Sequence, residues 1–356
     1  MPQRRVKVLI VDDSALVREL LTAILSSDPQ IEVVGTASDP YVARERIKQF
    51  NPDVLTLDIE MPRMDGLGFL ERLMALRPTP VVMVSSLSQR GAEASLRALE
   101  LGAVDVVGKP VSDIGEGLPA LREEILSKVK AAAGANVARR AALAPATHAA
   151  PIAAMPFRST ETVIAIGAST GGVEAIATVL RALPADSPAI AITQHMPPLF
   201  TARFARRLDE TCPQRVHEAR DGERMLPGHA YIAPGDRHLR VGRSGANYLC
   251  RVGGSERVSG HCPSVDVLFG SLAREAGINA VGVILTGMGS DGAEGLAAIR
   301  QVGGRTLGQD EASSIVYGMP RIAFEAGAVE SQVPLDDMGA AILELCREGG
   351  THAIRI

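Results

Sequence analysis

Short aliphatic runs alternate with helical patterns along this chain, and no other feature restricts its fold as tightly. Lys7–Val11 is followed by the helical pattern Ala15–Ser26, Ile31–Ala37 by Tyr41–Gln49, and Val54–Leu57 by Leu67–Leu76. Val81–Ser85 then precedes Ala92–Leu101, and Val104–Val107 precedes Leu118–Lys130. Runs apolar on both faces cannot lie half in water. They belong in parallel strands covered by helices on each side. Five such units predict a five-stranded parallel sheet, whose ligands would sit at the carboxyl ends of its strands.

The alternation stops over residues 131–158, which are nearly half alanine, hold three prolines and lack any acid. With no periodic apolar face, this stretch reads as a tether, helical at its start and extended where the prolines begin. The expected organisation is a first domain at 1–125, a linker at 126–158 and a second domain at 159–356. After the tether the pattern resumes with Thr162–Ile166, Val173–Leu183, Ile190–Thr193 and Leu199–Glu210. Short strands from His229 to Val252, a helix Val265–Ala276, a strand Ala280–Leu285 and a helix Gly292–Val302 follow, then short strands near Arg305–Leu307 and Val329. The second domain is thus also expected to be doubly wound, mostly parallel α/β, with a small hairpin inserted. A length of 356 residues gives each half room for its own core.

Composition excludes several classes of function. A net charge of −4 and an aromatic content of 3%, without Trp, offer neither a cationic face for nucleic acid nor a stacking platform for bases. The longest uncharged stretch, Ala141 to Phe157, is too short and too proline-broken to span a membrane. The basic start leads only to Val8–Val11 before Asp12 and Asp13 intervene, so it reads as a first strand and not as an export signal. Cys212, Cys250, Cys262 and Cys346 are scattered without a C-x-x-C pair, which suits a reducing cytoplasm.

Acids collect where the first sheet would present a ligand. Asp12 and Asp13 end the first run, Asp58 the third, Ser85 and Ser86 the fourth, and Lys109 the fifth. Carboxylates converging on one point repel one another unless a hard cation and a lysine balance them, so this pocket should bind Mg²⁺. Val-Asp12-Asp13-Ser, Leu-Asp58-Ile-Glu-Met-Pro-x-Met-Asp-Gly, Ser85-Ser and Lys109-Pro resemble a two-component receiver domain over residues 5–125. The resemblance implies a flavodoxin-like fold, with Asp58 as phosphoacceptor and Asp12 and Asp13 with it as metal ligands. It further implies Ser85 as the hydroxyl that follows the phosphate and Lys109 as its counter-charge. Val106 stands where receivers often carry an aromatic switch residue, so the usual aromatic rotation does not transfer directly.

A second constellation lies beyond the tether. The run Val163–Ile166 enters Gly167-Ala-Ser169-Thr-Gly171-Gly172 ahead of a helical pattern, a strand-to-helix turn that presents Ser169 as a nucleophile beside helix N–H groups. The same turn also suits a simple N-cap or a phosphate cradle. A general base is needed, and His195 ends the next strand in Ile192-Thr-Gln-His195-Met-Pro-Pro, although a packing histidine could stand there too. His217, His229, His238, His261 and His352 lack such a strand-end position, and His148 lies in the linker. Zinc at His229, His238 and His261 has no recognised ligand spacing. For the carboxylate that orients the base, Asp291 in Thr286-Gly-Met288-Gly-Ser-Asp291-Gly292 is preferred to Asp266 and Asp236. The glycines around Met288 expose backbone N–H groups suited to an oxyanion hole. The stretch also fits G-x-G-x-x-G with Asp310 beyond it, but too little chain follows Gly292 for a dinucleotide-binding half.

The order Ser169, His195, Asp291 differs from that of α/β-hydrolases. Ile-Gly-Ala-Ser169-Thr-Gly-Gly, Gln-His195-Met-Pro, Ile232-Ala-Pro-Gly, Pro263-Ser-Val-Asp-Val-Leu-Phe and Leu285-Thr-Gly-Met-Gly-Ser-Asp291-Gly resemble the catalytic domain of the chemotaxis protein-glutamate methylesterase/glutaminase family over about residues 160–346. The resemblance implies a Ser169–His195–Asp291 triad, the Met288 amide as oxyanion donor, and no cofactor in the hydrolytic site. It implies hydrolysis of glutamate γ-methyl esters on methyl-accepting chemoreceptors and deamidation of receptor glutamines. It also implies phosphorylation by the chemotaxis histidine kinase, with the unphosphorylated receiver covering the active-site edge. A DNA-binding regulator would need a basic recognition helix in the second half, and none is patterned there. A non-catalytic scaffold would leave the Ser, His and Asp motifs without a role.

Overall fold

The computed structural model describes residues 4–61, 64–86, 88–109, 118–135, 137 and 161–348. They fall in two compact units, Met1–Pro145 and Ala146–Ile356. In the first, β1 (Val6–Val11), β2 (Ile31–Ala37), β3 (Val54–Asp58), β4 (Val81–Ser85) and β5 (Asp105–Gly108) alternate with α1 (Ala15–Ser26), α2 (Pro40–Phe50), α3 (Gly66–Leu76), α4 (Gln89–Glu100) and α5 (Leu118–Ala133). The strands are all parallel in the order β2-β1-β3-β4-β5. Every residue of β3 and β4 is buried, as uniformly aliphatic runs require. Ser14, Asp39, Asp65 and Ser88 cap α1 to α4 by accepting first-turn backbone N–H groups, which sets the helix starts. The order reverses between β1 and β3, so their carboxyl ends open the crevice in which such sheets bind ligands.

The boundary expected after residue 125 falls inside α5, which continues to Ala133. Ile125, Val129 and Ala132 are wholly buried, so burial carries the helix into the alanine-rich stretch. The rest of the expected linker, apart from residues 134, 135 and 137, lies outside the described residues.

The second unit holds a seven-stranded, all-parallel sheet in the order β14-β13-β12-β6-β7-β9-β8. Its strands are β6 (Val163–Ala168), β7 (Ala189–Gln194), β8 (Arg215–Glu218), β9 (His229–Ile232), β12 (Ala280–Ile284), β13 (Arg305–Gln309) and β14 (Ser331–Val333). The expected hairpin is β10 (His238–Ser244) against β11 (Asn247–Gly253), turning at Gly245 with a positive φ of 57°. Helices α6 (Gly172–Ala182), α7 (Phe200–Thr211), α8 (Val265–Ala276), α9 (Ala293–Gln301), α10 (Met319–Glu325) and α11 (Met338–Glu348) complete the unit. The chain leaves central β6 for β7 on one side and later returns to β12 on the other. The crevice therefore opens at the carboxyl end of β6. The last strand lies at Ser331–Val333 and not at Val329, whose side chain is core.

Candidate active site

Ser169 follows the last residue of β6, and neighbouring strands deliver the loops around it. Its N–H donates to the Thr286 carbonyl (3.0 Å) in the loop after β12, and the His195 N–H donates to the Ala168 carbonyl (3.1 Å). This close approach needs glycine at two points. A Cβ on Gly287 would stand 2.8 Å from Ser169 Cβ, and Gly171, with φ +79°, would drive one to 2.7 Å from Ile315.

His195 Nε2 lies 2.7 Å from Asp291 Oδ2, a buried pairing that joins the loops after β7 and β12. A carboxylate only accepts, so Nε2 carries the proton and Nδ1 is the basic nitrogen. Nδ1 is buried and has no hydrogen-bond partner among the described residues. Asp291 is 1% exposed and fully satisfied. Its Oδ1 accepts from Ser264 Oγ (2.8 Å) and Asp266 N–H (3.0 Å), and its Oδ2 accepts from Val265 N–H (2.7 Å) and His195. The donors around Val265 form the N-terminus of α8, where backbone dipoles favour an anion. Burial opposes ionisation of Asp291. The His195 bond and charge and these amides outweigh it and hold the carboxyl down at about 2.

The rival acids are placed elsewhere. Asp266 accepts from Gly295 N–H (2.9 Å) and Ser259 Oγ (2.8 Å), which ties α8 to α9 and to the preceding loop. Burial raises its pKa against those bonds. Asp236 is exposed. Asp310 accepts from Ser313 N–H within its own turn, so the dinucleotide pattern has no acid poised for a ribose. His229 approaches the Pro227 carbonyl, His238 the Glu256 carbonyl, and His261 the ring of His195. Among the described residues the one cluster with metal-ligand geometry is instead in the first unit.

That cluster is Asp12, Asp13 and Asp58, each offering an oxygen within 4.8 Å of the others. Lys109 Nζ donates to Asp58 Oδ2 at 2.7 Å and stands 3.6 Å from Asp12 Oδ2, which is buried without a hydrogen bond among the described residues. Burial pushes the Asp58 pKa up to about 6, with Asp12 adding to the rise, although the Lys109 bond pulls the other way. Burial likewise raises Asp12. One lysine therefore leaves the acids short of positive charge, and a hard divalent cation fits the deficit. Arg18 Nη1 braces the loop through the Asp12 and Asp13 carbonyls (2.8 and 2.9 Å). Ser85 Oγ points toward the carbonyls of Ser86 (3.2 Å) and Gly91 (3.3 Å).

Residues 164–342 match the CheB methylesterase family model, and residues 8–118 match the response regulator receiver domain. The chain belongs to the CheB methylesterase family. It is 58% identical to the protein-glutamate methylesterase/protein-glutamine glutaminase of Escherichia coli K12, over 99% of both chains. It is also 58% identical to protein-glutamate methylesterase/protein-glutamine glutaminase 2 of Pseudomonas aeruginosa, over 97% of this chain and 98% of that one. The Thermotoga maritima CheB methylesterase catalytic domain superposes with a TM-score of 0.51 at 34% identity, covering 52% of this chain and 98% of that domain.

Two residues near this CheB-type site have no role in the motif reading. Gln194 Nε2 donates to the carbonyls of Ser169 (2.8 Å) and His195 (3.2 Å), so one amide bridges both loops. Its place beside His195 at the end of β7 was the available signal. His261, set aside for lacking a strand-end position, reaches the site on the loop before α8 and stacks face to face on His195, with ring centroids 3.7 Å apart and planes 7° from parallel.

Proposed function

We propose that the chain is a phosphorylation-controlled protein-glutamate methylesterase with glutaminase activity, acting on glutamate γ-methyl esters and glutamines of chemoreceptors in the cytoplasm. The observation that carries this reading is the buried His195–Asp291 pair at 2.7 Å with Nδ1 unpartnered among the described residues, on the loop hydrogen-bonded to the end of the strand that Ser169 follows. In the proposed reaction His195 Nδ1 takes the Ser169 proton as Oγ attacks the ester carbonyl. The resulting oxyanion is received by the Met288 N–H, which makes no backbone hydrogen bond among the described residues. Asp291 stabilises the imidazolium. Protonation of the departing methoxide by His195 releases methanol and leaves an acyl-Ser169. His195 then activates water to regenerate the serine and a free glutamate carboxylate. An amide follows the same course and releases ammonia.

Control is assigned to the first unit. Asp58 accepts a phosphoryl group from a histidine kinase, and Ser85 and Lys109 engage the phosphoryl oxygens. Mg²⁺ would be held by Asp12, Asp13 and Asp58, and it neutralises charge on the phosphoryl group when bound. Ser169→Ala is expected to abolish methanol release from methylated receptor membranes, a loss of at least about 10⁴-fold by analogy with other serine triads. Methanol release at the wild-type rate by Ser169→Ala would sink the nucleophile assignment, whereas no methanol release by the wild-type chain would favour a non-catalytic scaffold.

A further inference from the structure

We propose that His261 is a positioning residue that locks the plane of the His195 imidazole, so that Nδ1 stays directed for proton transfer while Nε2 holds Asp291. The inference rests on the reading of His195 as the base and adds a function for the ring stacked on it.

His195 needs such a support. The last side-chain torsion of a histidine is soft, so its ring orientation comes from contacts. One contact is the Nε2–Asp291 bond at 2.7 Å, which leaves the ring free to turn about that direction. The other nitrogen makes no hydrogen bond among the described residues to resist the turn. His261 supplies the missing constraint. A parallel ring 3.7 Å away covers one face, and any rotation drives ring edge into ring face. The arrangement also excludes a proton relay between the two, because ring N–H groups lie in the ring plane and stacked faces present none to each other.

The loop that carries His261 is built to hold it. Val258 and His261 exchange backbone hydrogen bonds at 3.0 and 2.9 Å. Ser259 Oγ donates to Asp266 Oδ2 (2.8 Å), and His238 Nε2 meets the Glu256 carbonyl (2.7 Å). Asp266 and His238 belong to α8 and β10, so the loop is anchored at both ends of its reach. His238 Nδ1 further accepts from Ser264 N–H (3.2 Å), and Ser264 holds Asp291. The support for His261 and the support for Asp291 are therefore one connected set of bonds.

The test uses the full chain and two readouts. In His261→Ala, kcat for methanol release is expected to fall at least about tenfold with KM unchanged, since misdirection of a proton acceptor costs rate and not binding. The imidazole N–H proton of His195, assigned by its loss in His195→Gln and followed by NMR, should broaden as the ring gains motion. His261→Phe restores a flat face and should recover kcat to within about threefold of wild type and sharpen the resonance. A His261→Ala protein with wild-type kcat or an unbroadened N–H signal overturns the proposal, as does a His261→Phe protein as slow as His261→Ala. Persistent methanol release by Ser169→Ala would instead overturn the underlying reading of Ser169 as the nucleophile served by His195, and the NMR arm would still decide the stacking.

Discussion

Asp58 and Asp291 are buried carboxylates of the two units, and their surroundings push them in opposite directions. Asp291 has a hydrogen-bond donor for each of its lone-pair directions and sits at a helix N-terminus. Its ionised form therefore adds stability above the unfolded value near 3.8, lost only as pH falls toward about 2. Asp58 is buried beside a second acid with Lys109 as its cation, and it keeps its proton up to about 6. Between 3.8 and about 6 the folded first unit thus binds a proton that the unfolded chain has released, so its stability falls as pH rises through that window. Asp58→Asn removes the ionisable group. Without Mg²⁺ at pH 7.5 it should stabilise the first unit by up to about 3 kcal/mol and flatten the fall between pH 4 and 7. Urea unfolding across that range checks this, and an Asp58→Asn protein less stable than wild type at pH 7.5 would refute it.

At the scale of elements, the N-terminus of α8 does two things. Ser264 caps the helix through Val267 N–H (3.4 Å) and also donates its hydroxyl proton to Asp291. The sequence Pro263-Ser264-Val265-Asp266 marks that helix start, and Val265–Ala276 agrees with the observed helix residue for residue. That the cap also orients a carboxylate twenty-seven residues on was not legible, because it depends on β12 lying beside β6. Replacing Ser264 with Ala removes both bonds. It should destabilise the second unit by about 1–2 kcal/mol and reduce kcat as Asp291 loses one of its donors. An unfolding midpoint equal to wild type would refute the cap's contribution, and a rate equal to wild type would refute the link from Ser264 to Asp291. The sequence reading passes over edge strand β8, the seven-residue α10 and the eleven-residue α11, and it sets β14 two residues early at Val329. β8, α10 and β14 are too short to carry a pattern.

Across the whole molecule, the contact division at Pro145 falls in the alanine- and proline-rich stretch that interrupts the βα alternation. Each unit has its own buried sheet and helices, as expected of a switch tethered to the enzyme it controls. If the unphosphorylated receiver restrains the hydrolase, a chain beginning at Ser159 should release methanol roughly 5- to 150-fold faster than the full chain. Acetyl phosphate with Mg²⁺ should bring the full chain toward the same rate, and chelating the metal should abolish that gain. A fragment no faster than the unphosphorylated full chain would count against inhibition. The residues alone determined two parallel α/β units, because aliphatic runs alternating with helical patterns have few other ways to bury themselves. They also placed Asp12, Asp58, Lys109, Ser169 and His195 at strand ends, since the strand period and the connecting loops are local. Tertiary structure set Asp291 against His195 Nε2 and turned Asp266 toward Gly295 and Ser259, gave Gln194 its two carbonyls and brought His261 onto His195. Those outcomes depend on strand order and on one loop folding back over the sheet edge, and distance along the chain does not encode either.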